Sequence, residues 1–230
     1  MTAVFETMRV RDSVIPLLER HLERFEFNWR AEGLAPPDLG LREDIERKVG
    51  ERGGDHVIRF EWDGSELTLT TRDMPSLDPP TIITASIVHP GYVIKTTNRE
   101  AFDRARQEAR RAGAEAGLLL TSEGYVGEGS LFAIAWFAGD ALCMPSLDLA
   151  ILPSIGRQRT IEVAESLDIE VREGAYRREE LDGKATFITT SVRGVVPIRT
   201  LDGVAVPTDG RVERLAELFW PAVDPPEGAH

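Results

Sequence analysis

Residues 124 to 137 read Gly-Tyr-Val-Gly-Glu-Gly-Ser-Leu-Phe-Ala-Ile-Ala-Trp-Phe, a glycine-rich turn followed by an apolar run. The run from Leu131 to Phe137 is almost entirely apolar, which predicts a strand that is buried on both faces. Glu128 stands directly before this run, and a carboxylate at the mouth of a buried strand needs a charged or hydrogen-bonding partner. The alternative is that Glu128 belongs to a solvated turn.

Sequence patterns on both sides of this segment predict further strands and helices. Val4 to Val10 reads as a strand, and His56 to Trp62 forms a hairpin with Leu67 to Thr71 around an Asp-Gly turn. The stretch from Asn98 to Ala112 has a helical composition, with Asn98 as its N-terminal cap. The predicted hairpins lie in the first part of the chain, and the later part combines helices with strands. This order indicates an α+β, or mixed α/β, fold.

The predicted boundary between two lobes lies near Pro80 to Pro90, directly after the proline-rich stretch from Asp73 to Pro80. Residues 1–88 are predicted to form a small N-terminal α+β lobe and residues 89–230 a larger C-terminal lobe. Ligands often bind in clefts between such lobes, so a cleft at this boundary is expected to hold the functional site.

Composition excludes several classes of function. The chain has 230 residues and a formal net charge of −12, which argues against binding to nucleic acid because phosphate contacts need clustered basic residues. No stretch approaches the length of a membrane span, and no basic-then-apolar leader is visible. The one cysteine, Cys143, suits a reducing compartment, so a cytoplasmic location is expected. The histidines and this cysteine show no metal-ligand spacing, and no metal is expected.

Lys95 is the first candidate for chemistry because it lies between an apolar run and a polar helix start. Lost solvation at such a position lowers the pKa of a lysine and makes its amine nucleophilic. Taken alone, the more common alternative is a solvated surface charge.

A possible anion site begins at Ser154-Ile-Gly-Arg157, which opens a predicted helix. Free N–H groups at a helix start can bind a phosphate, and Gly156 would allow a close approach. The hydroxyls of Thr189-Thr-Ser191 and the charge of Arg24 could serve the same anion, although an ordinary helix start and an exposed arginine explain these residues equally well. No Ser-His-Asp arrangement or P-loop is present, and Cys143 is more typical of a core residue.

These signals occur in the order found in a known family. The sequence resembles the class IV aminotransferases, which include branched-chain and D-amino-acid aminotransferases and 4-amino-4-deoxychorismate lyase. The matching segments are Phe5-Glu-Thr-Met-Arg-Val10, His21-Leu-Glu-Arg-Phe25, Lys95-Thr-Thr-Asn-Arg99, Gly124-Tyr-Val-Gly-Glu-Gly-Ser130, Leu147-Asp-Leu-Ala-Ile-Leu-Pro-Ser-Ile-Gly-Arg157 and Thr189-Thr-Ser-Val-Arg-Gly-Val-Val-Pro197. The resemblance spans nearly the whole chain.

The resemblance implies a two-lobed fold of the D-amino-acid aminotransferase type, a homodimer, and pyridoxal 5′-phosphate as cofactor. It implies that Lys95 holds the cofactor as a Schiff base and that Glu128 pairs with the pyridinium nitrogen. The implied phosphate ligands are the side chain of Arg24, the backbone N–H groups of Ile155 and Gly156, and the hydroxyls of Thr190 and Ser191.

Departures from the family pattern leave the activity open. Relatives carry some tens of residues before the Phe-Glu-Thr strand, so the chain resembles an N-terminally shortened member, and Ala133 and Gly156 replace a common Asn and Thr. The leading prediction is transfer of an amino group between an amino acid and a 2-oxo acid. The alternative is the lyase, which forms 4-aminobenzoate and pyruvate from aminodeoxychorismate and which the Lys-Thr-Thr-Asn-Arg segment and the short chain favour. A non-catalytic relative of the fold is a further alternative.

Overall fold

A computed structural model describes residues 2–37 and 40–221. In these ranges the strands are β1 (Val4–Val10), β2 (His56–Trp62), β3 (Leu67–Arg72), β4 (Thr81–Val88), β5 (Ala116–Leu120), β6 (Val126–Gly129), β7 (Ala133–Ala138), β8 (Ala141–Pro145), β9 (Val171–Gly174), β10 (Thr186–Thr190), β11 (Gly194–Pro197), β12 (Thr200–Leu201) and β13 (Val204–Ala205). The α-helices are α1 (Leu18–Ala31), α2 (Leu41–Gly50), α3 (Glu100–Arg111), α4 (Ile155–Ser166) and α5 (Gly210–Leu218).

The first part of the chain forms a three-stranded sheet in the order β1-β2-β3, with antiparallel pairs throughout. The hairpin turn between β2 and β3 is fixed by Asp63, whose Oδ1 accepts hydrogen bonds from the backbone N–H groups of Ser65 and Glu66 at 2.8 Å. Helices α1 and α2 cover one face of the sheet, where Phe25 packs edge-on against Phe60 with the ring centroids 4.7 Å apart. The apolar face of the helices and the sheet therefore share one core.

The rest of the chain forms two five-stranded sheets, in the orders β11-β10-β7-β8-β9 and β13-β12-β4-β5-β6. Their facing sides share a core that contains the fully buried Trp136 of β7. Helix α3 packs on the outer face of the β4–β5 pair, while α4 and α5 pack on the outer face of the other sheet. The result is a helix–sheet–sheet–helix arrangement, which explains why β7 is buried on both faces.

The predicted mixture of helices and sheets, α+β, is confirmed. The lobe boundary after residue 88 stays a prediction; β4 (Thr81–Val88) hydrogen-bonds to β5 and β12, so a boundary just before β4 would leave every sheet intact. No helix in the two described ranges is long and apolar enough to cross a membrane.

Two local predictions were wrong. Asn98 is not a cap, because α3 begins at Glu100 with Arg99 in the capping position. The apolar strand begins at Ala133 rather than at Leu131, which is exposed. For Glu128 the structure excludes the alternative of a solvated turn. Glu128 is buried inside a strand of its own, β6, which forms through pairing with β5 although glycine-rich segments have a low strand propensity.

Candidate active site

A cavity of about 980 Å³ lies between the three-stranded sheet and the later part of the chain. All the residues that the sequence singled out line this one cavity: Arg24, Lys95, Glu128, Ile155, Gly156, Thr190 and Ser191. They come from α1, the segment before α3, β6, the start of α4 and the end of β10. The fold therefore brings all of them together, while their individual roles remain predictions.

The backbone around Lys95 is joined to the start of β1. The N–H of Phe5 donates to the Lys95 carbonyl at 3.2 Å, and the N–H of Thr97 donates to the Ala3 carbonyl at 2.8 Å. The Lys95 Nζ lies 4.6 Å from the centroid of the Phe5 ring. Burial, with a further contribution from the nearby Arg24 guanidinium, lowers the pKa of Lys95 to about 7. A substantial fraction of this amine is thus neutral and nucleophilic near neutral pH.

Arg24 is held in place by a buried carboxylate. Its Nε and Nη2 donate to the two oxygens of Glu6 at 2.8 and 2.7 Å, and its Nη1 lies 3.5 Å from the Pro153 carbonyl before α4. His21 Nδ1 lies 2.7 Å from the same carboxylate. Burial alone would raise the pKa of Glu6, but Arg24 and His21 outweigh it and lower that pKa to about 2. Glu6 is therefore ionised and fixes the guanidinium in a bidentate pair.

Glu128 is fixed from two sides. Its Oε1 accepts hydrogen bonds from the Leu152 backbone N–H and from His89 Nε2, both at 3.0 Å. The Gly91 N–H donates to His89 Nδ1 at 3.2 Å, so Nδ1 acts as an acceptor and carries no proton. The single proton of the imidazole is therefore on Nε2, which donates it to Glu128. Within the described residues both bonds use Oε1, so Oε2 can accept a proton-bearing group of a ligand. A carboxylate that two hydrogen bonds hold in place can pair with a protonated pyridine nitrogen.

The start of α4 provides the backbone donors. Ser154 caps the helix, and its Oγ accepts from the Arg157 N–H at 3.1 Å. The N–H groups of Ile155 and Gly156 in the first turn have no partner within the helix and can bind an anion. A Cβ at Gly156 would lie 2.7 Å from the Thr190 Cα. Only glycine therefore lets β10 pack this closely against the start of α4, and the missing side chain also allows a ligand to approach the backbone.

The two predicted hydroxyls differ in what they can still donate. Thr190 Oγ1 accepts from the backbone N–H groups of Val192 and Arg193 at 3.2 and 2.8 Å, so its O–H remains available to an anion. Ser191 Oγ instead lies 3.2 Å from the Thr7 carbonyl, to which it donates. We therefore expect Thr190 to contribute more than Ser191 to phosphate binding.

Sequence reasoning did not identify Glu6 and His89, which orient Arg24 and Glu128. Glu6 carried a signal, because a lone carboxylate in an apolar strand needs a buried cationic partner. His89 carried no such signal in the sequence. It lies directly after β4, and its contact with Glu128 forms only when the chain folds. Across residues 2–37 and 40–221 no cluster of three histidine, cysteine, aspartate or glutamate side chains is placed to hold a metal ion.

A lysine of lowered pKa, an arginine beside a free helix start and a fixed carboxylate are the groups that a pyridoxal-phosphate-dependent enzyme requires, so the donor set fits this cofactor. A family model described as amino-transferase class IV matches residues 3–201. The chain belongs to this family, which confirms the resemblance predicted from the sequence.

Known relatives and solved structures agree with this assignment. The branched-chain-amino-acid aminotransferase of Escherichia coli strain K12 is 34% identical over 118 residues, which cover 49% of this chain and 38% of that protein. The aminodeoxychorismate lyase of Bacillus subtilis strain 168 is 33% identical over 89 residues, or 38% of this chain and 30% of the lyase. The chain thus matches less than half the length of these relatives. An apo structure of a hypothetical aminotransferase from Mycobacterium tuberculosis aligns with a TM-score of 0.84 at 25% identity, covering 94% of this chain and 87% of that one.

Proposed function

We propose that this chain is a pyridoxal-phosphate-dependent enzyme that transfers an amino group between an amino acid and a 2-oxo acid. One observation carries the proposal: Lys95, whose pKa is lowered to about 7, lies in the same cavity as Arg24 and Glu128. The lysine supplies the amine, the arginine the charge for a phosphate, and the carboxylate the partner for a pyridine nitrogen.

When bound, pyridoxal phosphate supplies an aromatic ring that absorbs the negative charge developing at the substrate α-carbon. Arg24, the first N–H groups of α4 and the Thr190 hydroxyl would bind the phosphate group. Glu128 would hold a proton at the pyridine nitrogen, with His89 fixing the carboxylate in place. Lys95 Nζ would bind the cofactor covalently and then carry the proton to and from the α-carbon, which its lowered pKa favours at neutral pH.

The second candidate is the aminodeoxychorismate lyase activity. The match to the Bacillus subtilis lyase and the Lys95-Thr-Thr-Asn-Arg99 segment support it. The two activities share the cofactor site and differ in what happens to the substrate. Conversion of the bound cofactor to its pyridoxamine form by an amino acid supports the aminotransferase, whereas release of pyruvate from aminodeoxychorismate supports the lyase.

The proposal extends to assembly and location. Val88, Val93 and Leu131 are apolar yet 55%, 47% and 55% exposed, which favours a homodimer that covers them. Sedimentation equilibrium would test this assembly. Cys143, the one cysteine, is buried and free, in keeping with the predicted cytoplasmic location.

The cofactor proposal is tested by absorption spectroscopy. Protein mixed with pyridoxal phosphate should develop the visible band of a lysine-bound cofactor, and Lys95→Ala should abolish that band. Lys184→Ala, which changes a lysine outside the cavity, is the matched control and should keep it. A band of equal strength in Lys95→Ala would refute the role of Lys95. No band in the wild-type protein would refute the cofactor proposal and favour a non-catalytic relative.

A further inference from the structure

Arg157 is a buried charge that the proposed function does not use. It lies in the first turn of α4, directly after Ile155 and Gly156. Those two residues line the cavity, whereas Arg157 is not part of its lining. Any effect of the Arg157 guanidinium on a ligand therefore passes through the start of the helix.

The first turn of a helix is an unfavourable place for a cation. The start of a helix carries a partial positive charge, which favours anions and disfavours a guanidinium. The first turn of α4 contains no acidic residue that would offset this charge. Burial adds to the cost, because a buried charge loses its hydration. The stability of the fold alone does not explain an arginine at this position.

The hydrogen bonds of Arg157 compensate for its burial only in part. Its Nη2 donates to the Glu173 carboxylate and to the Pro145 carbonyl, the latter at 3.3 Å. Its Nε is buried and has no hydrogen-bond partner within the described residues. A buried nitrogen without a partner is unfavourable. The side chain of Glu173 is 40% exposed and that of Arg157 only 4%, so water stabilises the carboxylate far more than the guanidinium.

The two acceptors of Arg157 belong to adjacent strands. Pro145 ends β8 and Glu173 lies in β9, and these two strands pair in parallel. The Ser146 N–H donates to the Gly174 carbonyl at 2.9 Å and closes the end of the pair. Arg157 thus ties the start of α4 to a hydrogen-bonded edge of the sheet.

A second contact holds the same turn to another strand. Thr160 Oγ1 donates to the Gly156 carbonyl at 2.9 Å and lies 2.9 Å from Thr189 Oγ1 of β10. In the sheet, β7 separates β10 from β8, so the two anchors lie on different sides of this central strand. Together they fix the direction of the Ile155 and Gly156 N–H groups before any ligand binds.

Attraction of an anion into the cavity does not require Arg157. Eight basic side chains already line the cavity, against three acidic ones, although the formal net charge of the whole chain is −12. Such an excess of one charge in a cleft attracts ligands of the opposite charge. A further cation behind the helix adds little to this attraction, so its anchoring contacts remain as the reason for its position.

We propose that Arg157 is a positioning residue of the phosphate site, which holds the Ile155 and Gly156 N–H groups in place by tying α4 to Pro145 and Glu173. The inference rests on the proposed function, because it assumes that these N–H groups bind the phosphate of the cofactor. An arginine with this role raises the affinity for the phosphate group and contributes little to the stability of the fold.

The test compares pyridoxamine 5′-phosphate with pyridoxamine, which differ by the phosphate group and need no bond to Lys95. Each is titrated by calorimetry into the wild-type protein and into Arg157→Met. The variant should bind pyridoxamine 5′-phosphate about tenfold or more weakly than the wild type, as expected for misplaced hydrogen bonds to a charged group. Its affinity for pyridoxamine should stay within about twofold of the wild-type value. Its urea midpoint should stay close to that of the wild type, because water can hydrate the remaining Glu173 carboxylate.

Two further variants separate anchoring from general damage. Glu173→Ala removes one acceptor of Arg157 and should weaken the binding of pyridoxamine 5′-phosphate, but not of pyridoxamine, by about threefold or more. Arg159→Gln, on the same helix, is the matched control. Its side chain donates to the carbonyls of Phe219 and Leu218 at the end of α5, so both affinities should stay at the wild-type values.

Two results would overturn the inference. Arg157→Met could weaken both ligands by the same factor, as the loss of a purely structural residue would, or Arg157→Met and Glu173→Ala could both keep the wild-type affinity for pyridoxamine 5′-phosphate. If Arg157→Met does not fold, the Glu173→Ala titrations decide alone.

The visible band with pyridoxal phosphate tests the cofactor proposal separately. A normal band together with an unchanged phosphate preference in Arg157→Met and Glu173→Ala rejects the positioning role alone. A missing band in the wild-type protein rejects the cofactor proposal, and the titrations still decide the role of Arg157, because pyridoxamine 5′-phosphate needs no bond to Lys95.

Discussion

Phe5 contacts Lys95 twice, with its backbone N–H 3.2 Å from the Lys95 carbonyl oxygen and its ring centroid 4.6 Å from Nζ. The first contact fixes the lysine backbone to β1, and the second places an aromatic face against the amine. The position of the reactive amine is therefore set by a strand that lies some ninety residues earlier in the chain. Substitutions of this lysine and of the groups around it should have distinct, measurable effects.

Replacing Lys95 should stabilise the cofactor-free protein most at low pH. Because burial lowers its pKa from 10.5 to about 7, the unfolded state binds the proton more tightly than the folded state. The destabilising effect of Lys95 is complete below about pH 7 and declines as the pH rises toward 10.5. Lys95→Met should thus raise the urea midpoint more at pH 6 than at pH 10. A gain that grows with pH would contradict the lowered pKa.

Glu6→Gln should destabilise the protein strongly at neutral pH, because it leaves Arg24 without its buried partner. We expect a loss of about 3 kcal/mol or more, against less than about 1 kcal/mol for the half-exposed control Glu162→Gln, which pairs with Arg20 at 2.5 Å. The pKa of Glu6 is lowered from 4.5 to about 2, so its contribution is complete above pH 4.5 and is lost as the pH falls toward 2. Urea unfolding at pH 7 and pH 3 measures both effects; equal losses for the two variants would refute the role of Glu6.

Glu128→Gln should separate cofactor binding from turnover. The glutamine keeps the shape of the side chain but cannot hold a proton at a pyridine nitrogen as a carboxylate does. We expect turnover to fall by about 100-fold or more while the visible band on Lys95 persists. Glu123→Gln, in the exposed turn before β6, is the control and should leave turnover unchanged. Undiminished turnover in Glu128→Gln would exclude the proposed contact.

Gly156→Ala should destabilise the protein even without cofactor. The added Cβ would lie 2.7 to 2.8 Å from backbone atoms of Thr190, which cannot move aside as a flexible side chain would. Overpacking of this kind costs about 1–3 kcal/mol. Gly50→Ala at the end of α2, where a Cβ meets no atom within 4 Å, is the matched control and should be neutral or stabilising. Chemical denaturation of both variants decides the point.

The features that the sequence predicted are those formed by residues that are neighbours along the chain. Lys95, Glu128 and the start of α4 each lie in short segments whose residues are sequence neighbours, so ordered motifs are enough to reveal them. The strand β1 and the hairpin of β2 and β3 were also predicted, because alternation and an Asp-Gly turn are local signals.

What the sequence did not predict depends on contacts between distant segments. The strand β6 consists of Val-Gly-Glu-Gly, which has little strand propensity and forms through pairing with β5. Arg59, Arg72 and Arg106 line the cavity from β2, β3 and α3, and no periodicity links them. His89 and Glu128 are 39 residues apart and meet only after folding.

A basic cavity inside an acidic protein has a kinetic consequence for ligand capture. An anion that approaches from far away experiences the net charge of −12 and is repelled, whereas close to the entrance it experiences the local excess of arginines. The screening length falls from about 30 Å at 0.01 M salt to about 10 Å at 0.1 M, so moderate salt suppresses the distant repulsion before the nearby attraction. The association rate of an anionic ligand should therefore rise and then fall as salt is added, with a maximum at intermediate ionic strength.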